Sequence, residues 1–82
     1  VLLDFYADWC GPCRMVSPLV DQIAEENPQY LVGKINVDEE PELAAAFGVS
    51  SIPMLVVLKN GEIAKQSVGA MPKQQILAML ED

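Results

Sequence analysis

Hydrophobic positions divide the chain into short strands and amphipathic helices. Val1–Tyr6 is a near-continuous apolar run broken only by Asp4. That is the pattern of a strand covered on both faces. A turn-like stretch, Ala7-Asp8-Trp9-Cys10-Gly11-Pro12, follows. Met15, Val16, Leu19, Val20, Ile23 and Ala24 then recur at helical spacing and predict a helix from about Gly11 to Glu26. Pro12 suits its first turn, Pro18 predicts a kink within it, and Asn27-Pro28 stops it.

Tyr30–Val37 reads as a second strand. The acidic stretch Asp38–Glu42, with Pro41, predicts a second helix whose body is Leu43–Phe47 and whose cap is Gly48. Met54–Lys59 and Glu62–Val68 flank Asn60-Gly61, a strong hairpin signal. A last helix begins near Pro72 and buries Ile76, Leu77 and Leu80. The order is β-α-β-α-β-β-α. Its first half demands parallel strands joined by a right-handed crossover. The fold class is therefore α/β, a four-stranded mixed sheet with helices on both faces and the first strand central.

With 82 residues the chain has room for one domain, 1–82, with a modest core. Twelve acids against five bases, and no histidine, give a net charge of −7. Nothing basic clusters to neutralise phosphates, which argues against nucleic acid and against an anionic membrane surface. No apolar run approaches the ~20 residues of a membrane span. The chain opens inside a strand without an initiator methionine, so the expectation is an excised domain or a chain whose upstream residues were removed.

The only two cysteines, Cys10 and Cys13, stand three apart where a helix begins behind a buried strand. Cys10 falls at the helix N-terminus, where unpaired N–H groups and the dipole favour a thiolate, the form that attacks disulfides. Cys13, one turn on, can close a small ring with it. This allows exchange in two steps: Cys10 attacks a partner's disulfide, then Cys13 resolves the mixed disulfide. Three readings compete. A structural disulfide across so short a ring constrains little of the unfolded chain. A metal site lacks ligands, since zinc wants four and there is no imidazole; a cluster would need its other half from a partner chain. A cysteine hydrolase lacks its usual histidine base. Resolution by Cys13 needs a base other than histidine, and a desolvated carboxylate such as Asp4 has its pKa raised toward the working pH.

Taken in order, DFYADWCGPCRMVSPLVDQIAEE, KINVDEEPELAAAFGVSSIPML, KNGE and VGA resemble the thioredoxin family over the whole chain. The resemblance implies a thioredoxin-like fold and a protein dithiol–disulfide oxidoreductase with Cys10 attacking and Cys13 resolving. It places Asp4 on the family's buried acid beneath the second thiol, and Lys34 on the lysine near that acid. Pro53 matches the family's cis-proline, beside which the Ile52 backbone would pair with an extended substrate. Trp9, Gly11, Pro12, Ile52, Pro53, Val68, Gly69 and Ala70 would line a shallow apolar groove. Met15, Val16, Met54, Met71 and Met79 read as packing residues.

The family implies no bound cofactor. Its redox centre would be the Cys10–Cys13 disulfide, recharged by a flavin- and NADPH-dependent thioredoxin reductase. Partners would be disulfide-containing proteins, the compartment cytoplasmic and the working form a monomer. Relatives usually begin with one more strand and helix, which leads us to expect an exposed Tyr30–Val37 edge, lower stability and some self-association. Tyr6 stands where many relatives have tryptophan, with little expected consequence. Two other functions fit the same fold: a non-turnover binding module of a larger protein, and a disulfide oxidant or isomerase in an oxidising compartment.

Overall fold

Local sequence and long-range pairing agree on the elements. The structure, a computed structural model, describes residues 1–81; the expected domain limit at Asp82 lies outside them. In chain order the elements are β1 (Leu2–Tyr6), α1 (Gly11–Glu26), β2 (Val32–Asn36), α2 (Pro41–Ala46), β3 (Met54–Lys59), β4 (Glu62–Val68) and α3 (Lys73–Glu81). The sheet runs β2-β1-β3-β4. β1 pairs parallel with β2 and antiparallel with β3, and β3 pairs antiparallel with β4. The most apolar strand is thus internal, as its pattern predicts.

Alternation along β1 sends its side chains to two cores. Leu2 joins Val16, Val20 and Ile23 of α1, Leu55 and Val57 of β3, and Ile76 and Leu80 of α3. Phe5 faces the other way and packs with Ala44 of α2, Met54 and Val56. Phe47 adds a tilted ring contact with Phe5 at 5.3 Å between centroids. Asp4 stands two residues from Leu2, shares its face of the strand and therefore leaves the sheet on the α1 side.

The hairpin forms as its dipeptide predicts. Asn60 and Gly61 both take positive φ, 55° and 80°, as a type I′ turn requires. β2 is shorter than its apolar run. The Asn36 Oδ1 atom accepts hydrogen bonds from the Asp38 and Glu39 N–H groups, at 2.9 and 3.4 Å, and turns the chain away from the sheet. The outer edge of β2 has no strand partner among the described residues. α2 ends one residue before its predicted body does, and Gly48 follows at φ 68° with its N–H bonded to the Ala45 carbonyl at 3.0 Å. Pro18 lies inside α1 as expected.

Candidate active site

α1 begins where β1 delivers the chain, and both thiols sit at that junction. Cys10 is the N-cap residue in extended conformation, and its Sγ accepts a hydrogen bond from the Cys13 N–H at 3.2 Å. A helix of 16 residues stands behind that donor. A backbone donor at a helix N-terminus favours a thiolate over a thiol. Here the two sulfurs are joined as a disulfide, with Cα atoms 5.3 Å apart. Both cysteines are buried with Ala7, and Tyr6, Val37 and Ile52 pack against them. Gly11 and Pro12, between them, are exposed.

Asp4 is only 1% exposed. Neither of its carboxyl oxygens has a hydrogen-bond partner among the described residues. Burial pushes this carboxyl up from 3.8 to about 6, against the nearby Lys34 charge, which lowers it, and with Asp21, which raises it. Asp4 shares its face of β1 with Tyr6, which lines a cleft of about 170 Å³ together with Ala7, Asp8, Cys13, Arg14 and Ser17. The acid lies on the α1 side of the sheet, the side on which Leu2 packs against that helix.

Lys34 is Asp4's register partner on β2. Its ammonium donates to Ser17 Oγ and to Asp21 Oδ1, the latter at 3.0 Å. The Ile52-Pro53 peptide is cis. The Pro53 carbonyl accepts from the Gly69 N–H at 2.8 Å, which seats the end of β4 beside the proline. Gly69 takes φ 100°, a backbone that other residues rarely adopt.

The remaining groove residues do not share one hollow. Trp9 and Ile52 line a cleft of about 360 Å³ with Val37, Ala44, Val49, Ser50 and Ser51. Ala70 lines a separate apolar cleft of about 290 Å³ with Met15, Val16, Leu19, Met71 and Pro72. Val68 is exposed, and Pro53 is buried. Trp9 is 69% exposed, and its indole Nε1 donates to Asp38 Oδ2 at 2.8 Å.

Sequence reading missed Ser17, Asp21 and Asp38. A signal for the first two exists: Cys13, Ser17 and Asp21 recur every four residues and so share one stripe of the predicted helix. Nothing local marks Asp38 as the partner of Trp9, 29 residues away.

A dithiol pair closing at the start of a helix, on a mixed sheet whose internal strand β1 buries an acid, defines a thiol–disulfide oxidoreductase. The thioredoxin family model matches residues 1–82. Thioredoxin of Alicyclobacillus acidocaldarius is 48% identical over 83 residues, covering 100% of this chain and 79% of that protein. Thioredoxin of Pyropia yezoensis is 52% identical over 81 residues, covering 98% and 76%. Among solved structures, a mutant thioredoxin from Halobacterium salinarum NRC-1 superposes with a TM-score of 0.92 at 44% identity, covering 98% of this chain and 70% of that one. The chain belongs to the thioredoxin family. It is a protein dithiol–disulfide oxidoreductase that works through the Cys10–Cys13 pair. The family uses this disulfide in place of a prosthetic group, and its partners are disulfide-bearing proteins and thioredoxin reductase. Among the described residues no helix is long and apolar enough to cross a membrane, and no group of three or more His, Cys, Asp or Glu is placed to hold a metal ion.

Proposed function

We propose that Cys10 is the attacking thiol, Cys13 the resolving thiol, and Asp4 the group that takes the Cys13 proton. The reduced Cys10 thiolate attacks one sulfur of a partner's disulfide. That S–S bond breaks, and the partner's other sulfur leaves as a thiolate that takes up a proton. Cys13 passes its proton to the Asp4 carboxylate and attacks the Cys10 sulfur. The partner leaves fully reduced, two electrons richer, and the Cys10–Cys13 disulfide remains. The observation that carries this order is the placement of Cys10 as the N-cap of α1 with a backbone donor on its sulfur.

Substrate segments run along the Ile52-Pro53 backbone, with Trp9, Gly11, Pro12, Val68, Gly69 and Ala70 flanking them; main-chain pairing there makes recognition broad. Lys34 modulates Asp4 by its charge. Residues 1–82 act as one domain. A reductase drawing on NADPH recharges the disulfide, and the compartment is the reducing cytoplasm. The working form is a monomer, kept apart by its net charge, with the β2 edge, which has no strand partner among the described residues, as the site where copies associate when crowded.

Insulin-disulfide reduction tests the order of the thiols. Cys10→Ser abolishes turnover, whereas Cys13→Ser traps a mixed disulfide on Cys10; full turnover by the Cys10 variant ends this reading. The reduction potential tests the direction of electron flow. A value more negative than the glutathione couple supports a reductant, and one well above it makes the protein an oxidant. Sedimentation across a concentration series tests the monomer.

A further inference from the structure

The lysine beside Asp4 is held by α1 and not by the acid. Asp4 and Lys34 are register partners across the parallel β1–β2 pair. Lys34 reaches to the α1 side, where its ammonium donates to Ser17 Oγ and to Asp21 Oδ1. Asp4 leaves the sheet on that same side. Cys13, Ser17 and Asp21 follow one another at four-residue spacing along α1. One stripe of the helix therefore carries the proposed resolving thiol, a neutral hydroxyl and a carboxylate, and the last two grip the Lys34 ammonium.

We propose that Ser17 is a positioning residue of the redox site: with Asp21 it pins the Lys34 ammonium over the face of β1 that carries Asp4. This rests on the reading of Asp4 as the acceptor of the Cys13 proton. An untethered lysine extends into solvent, where water screens its field. A tethered one stays near the acid, at the margin of a desolvated region, and favours its ionised form. Asp21 does two opposed things, since it anchors Lys34 and also repels a charged Asp4. Ser17 carries no charge, so its removal alters only where the ammonium sits.

Few other groups bear on this face. From β2 comes Lys34, from α1 come Asp21 and Cys13, and at the cleft that Tyr6, Cys13 and Ser17 line stand the charged Arg14 and Asp8, with Arg14 bonded to the Asp8 carbonyl. β3 presents Leu55 and Val57, and α3 presents Ile76 and Leu80, none of them charged. Tyr6 follows on β1 itself.

The test is the titration of Asp4 followed by carboxyl-carbon NMR on the oxidised protein, in which neither cysteine titrates. Ser17→Ala raises the Asp4 midpoint by about half a pH unit, the change made by moving one charge from ~6 to ~8 Å away at an effective dielectric of about 20. Ser17→Thr, which keeps the hydroxyl, restores it. In a Lys34→Met background the Ser17→Ala change has no effect on Asp4. An unmoved or lowered midpoint in Ser17→Ala overturns the proposal, as does an equal shift in the Lys34→Met background. The pH profile of mixed-disulfide release separates the two layers. If Asp4's midpoint moves as expected and that profile does not follow it, Asp4 loses its role as proton acceptor while Ser17 keeps its role in placing Lys34.

Discussion

Asp4 and Lys34 are neighbours across two parallel strands, yet they share no hydrogen bond: Lys34 donates to Ser17 and Asp21, and both Asp4 oxygens stay unpartnered among the described residues. A buried carboxyl in that position resists ionisation. The arrangement gives up stability at neutral pH and leaves a base whose proton affinity lies near the working range.

The stability cost has a definite pH window. The native state holds the Asp4 proton up to about pH 6, while an unfolded chain releases it near 3.8. Below that lower value Asp4 is protonated in both states and costs nothing. As pH rises through the window the unfolded state loses its proton first, so the native state is progressively disfavoured. Asp4→Asn in the oxidised protein therefore adds about 3 kcal/mol above pH 7, from the displacement of 3.8 to about 6 at 1.36 kcal/mol per unit, and only about 0.5 kcal/mol at pH 4. Urea unfolding at the two pH values checks this; equal gains at both would contradict it.

The same substitution slows catalysis. Release of a thiol from a preformed mixed disulfide on Cys10 is expected to be about 100-fold slower in Asp4→Asn at pH 7, the low end for general-base assistance. The deficit narrows as pH rises and a thiol loses its proton without a base. Rapid-mixing measurements across pH read both features, and a variant with an unchanged profile would remove Asp4 from the mechanism.

Trp9 is exposed but not loose, because Asp38 accepts its indole proton at 2.8 Å. Asp38→Ala frees the ring over a cleft that it lines with Ile52. An exposed bond of this kind contributes about 1 kcal/mol, so the KM for insulin rises about fivefold with kcat unchanged. Steady-state kinetics decide it, and a fall in kcat alone would point to a different role.

α3 is attached by burial more than by charge. Ile76 is fully buried against α1 and β3, and Ile76→Ala costs about 2–5 kcal/mol. Lys73 and Glu26 form an ion pair at 2.5 Å with the Glu26 side chain more than half exposed, and Lys73→Ala costs less than about 1 kcal/mol. Denaturation midpoints of the two variants test the ranking, which a larger loss for Lys73→Ala would reverse.

The sequence by itself determined every element and the chemistry at the start of α1, because those features depend on neighbours a few residues away. Apolar runs specify strands, Asn60-Gly61 specifies its turn, and Cys10 meets the Cys13 N–H three residues on through helix geometry alone. Asp4 was legible as an unusual acid, since apolar neighbours on both sides favour burial over a place facing water at a strand edge. Only the tertiary structure decided what surrounds it. Lys34 meets Ser17 and Asp21 across 17 and 13 residues, Trp9 meets Asp38 across 29, and Gly69 meets Pro53 across a hairpin. Those pairings follow from strand register and from the way α1 lies on the sheet. The same docking decides which hollows the surface residues line, Trp9 with Ile52 in one and Ala70 with Met71 in another. A side chain's partner across the fold is set by where whole elements dock, and that docking is the sum of many weak contacts that no short stretch of sequence contains.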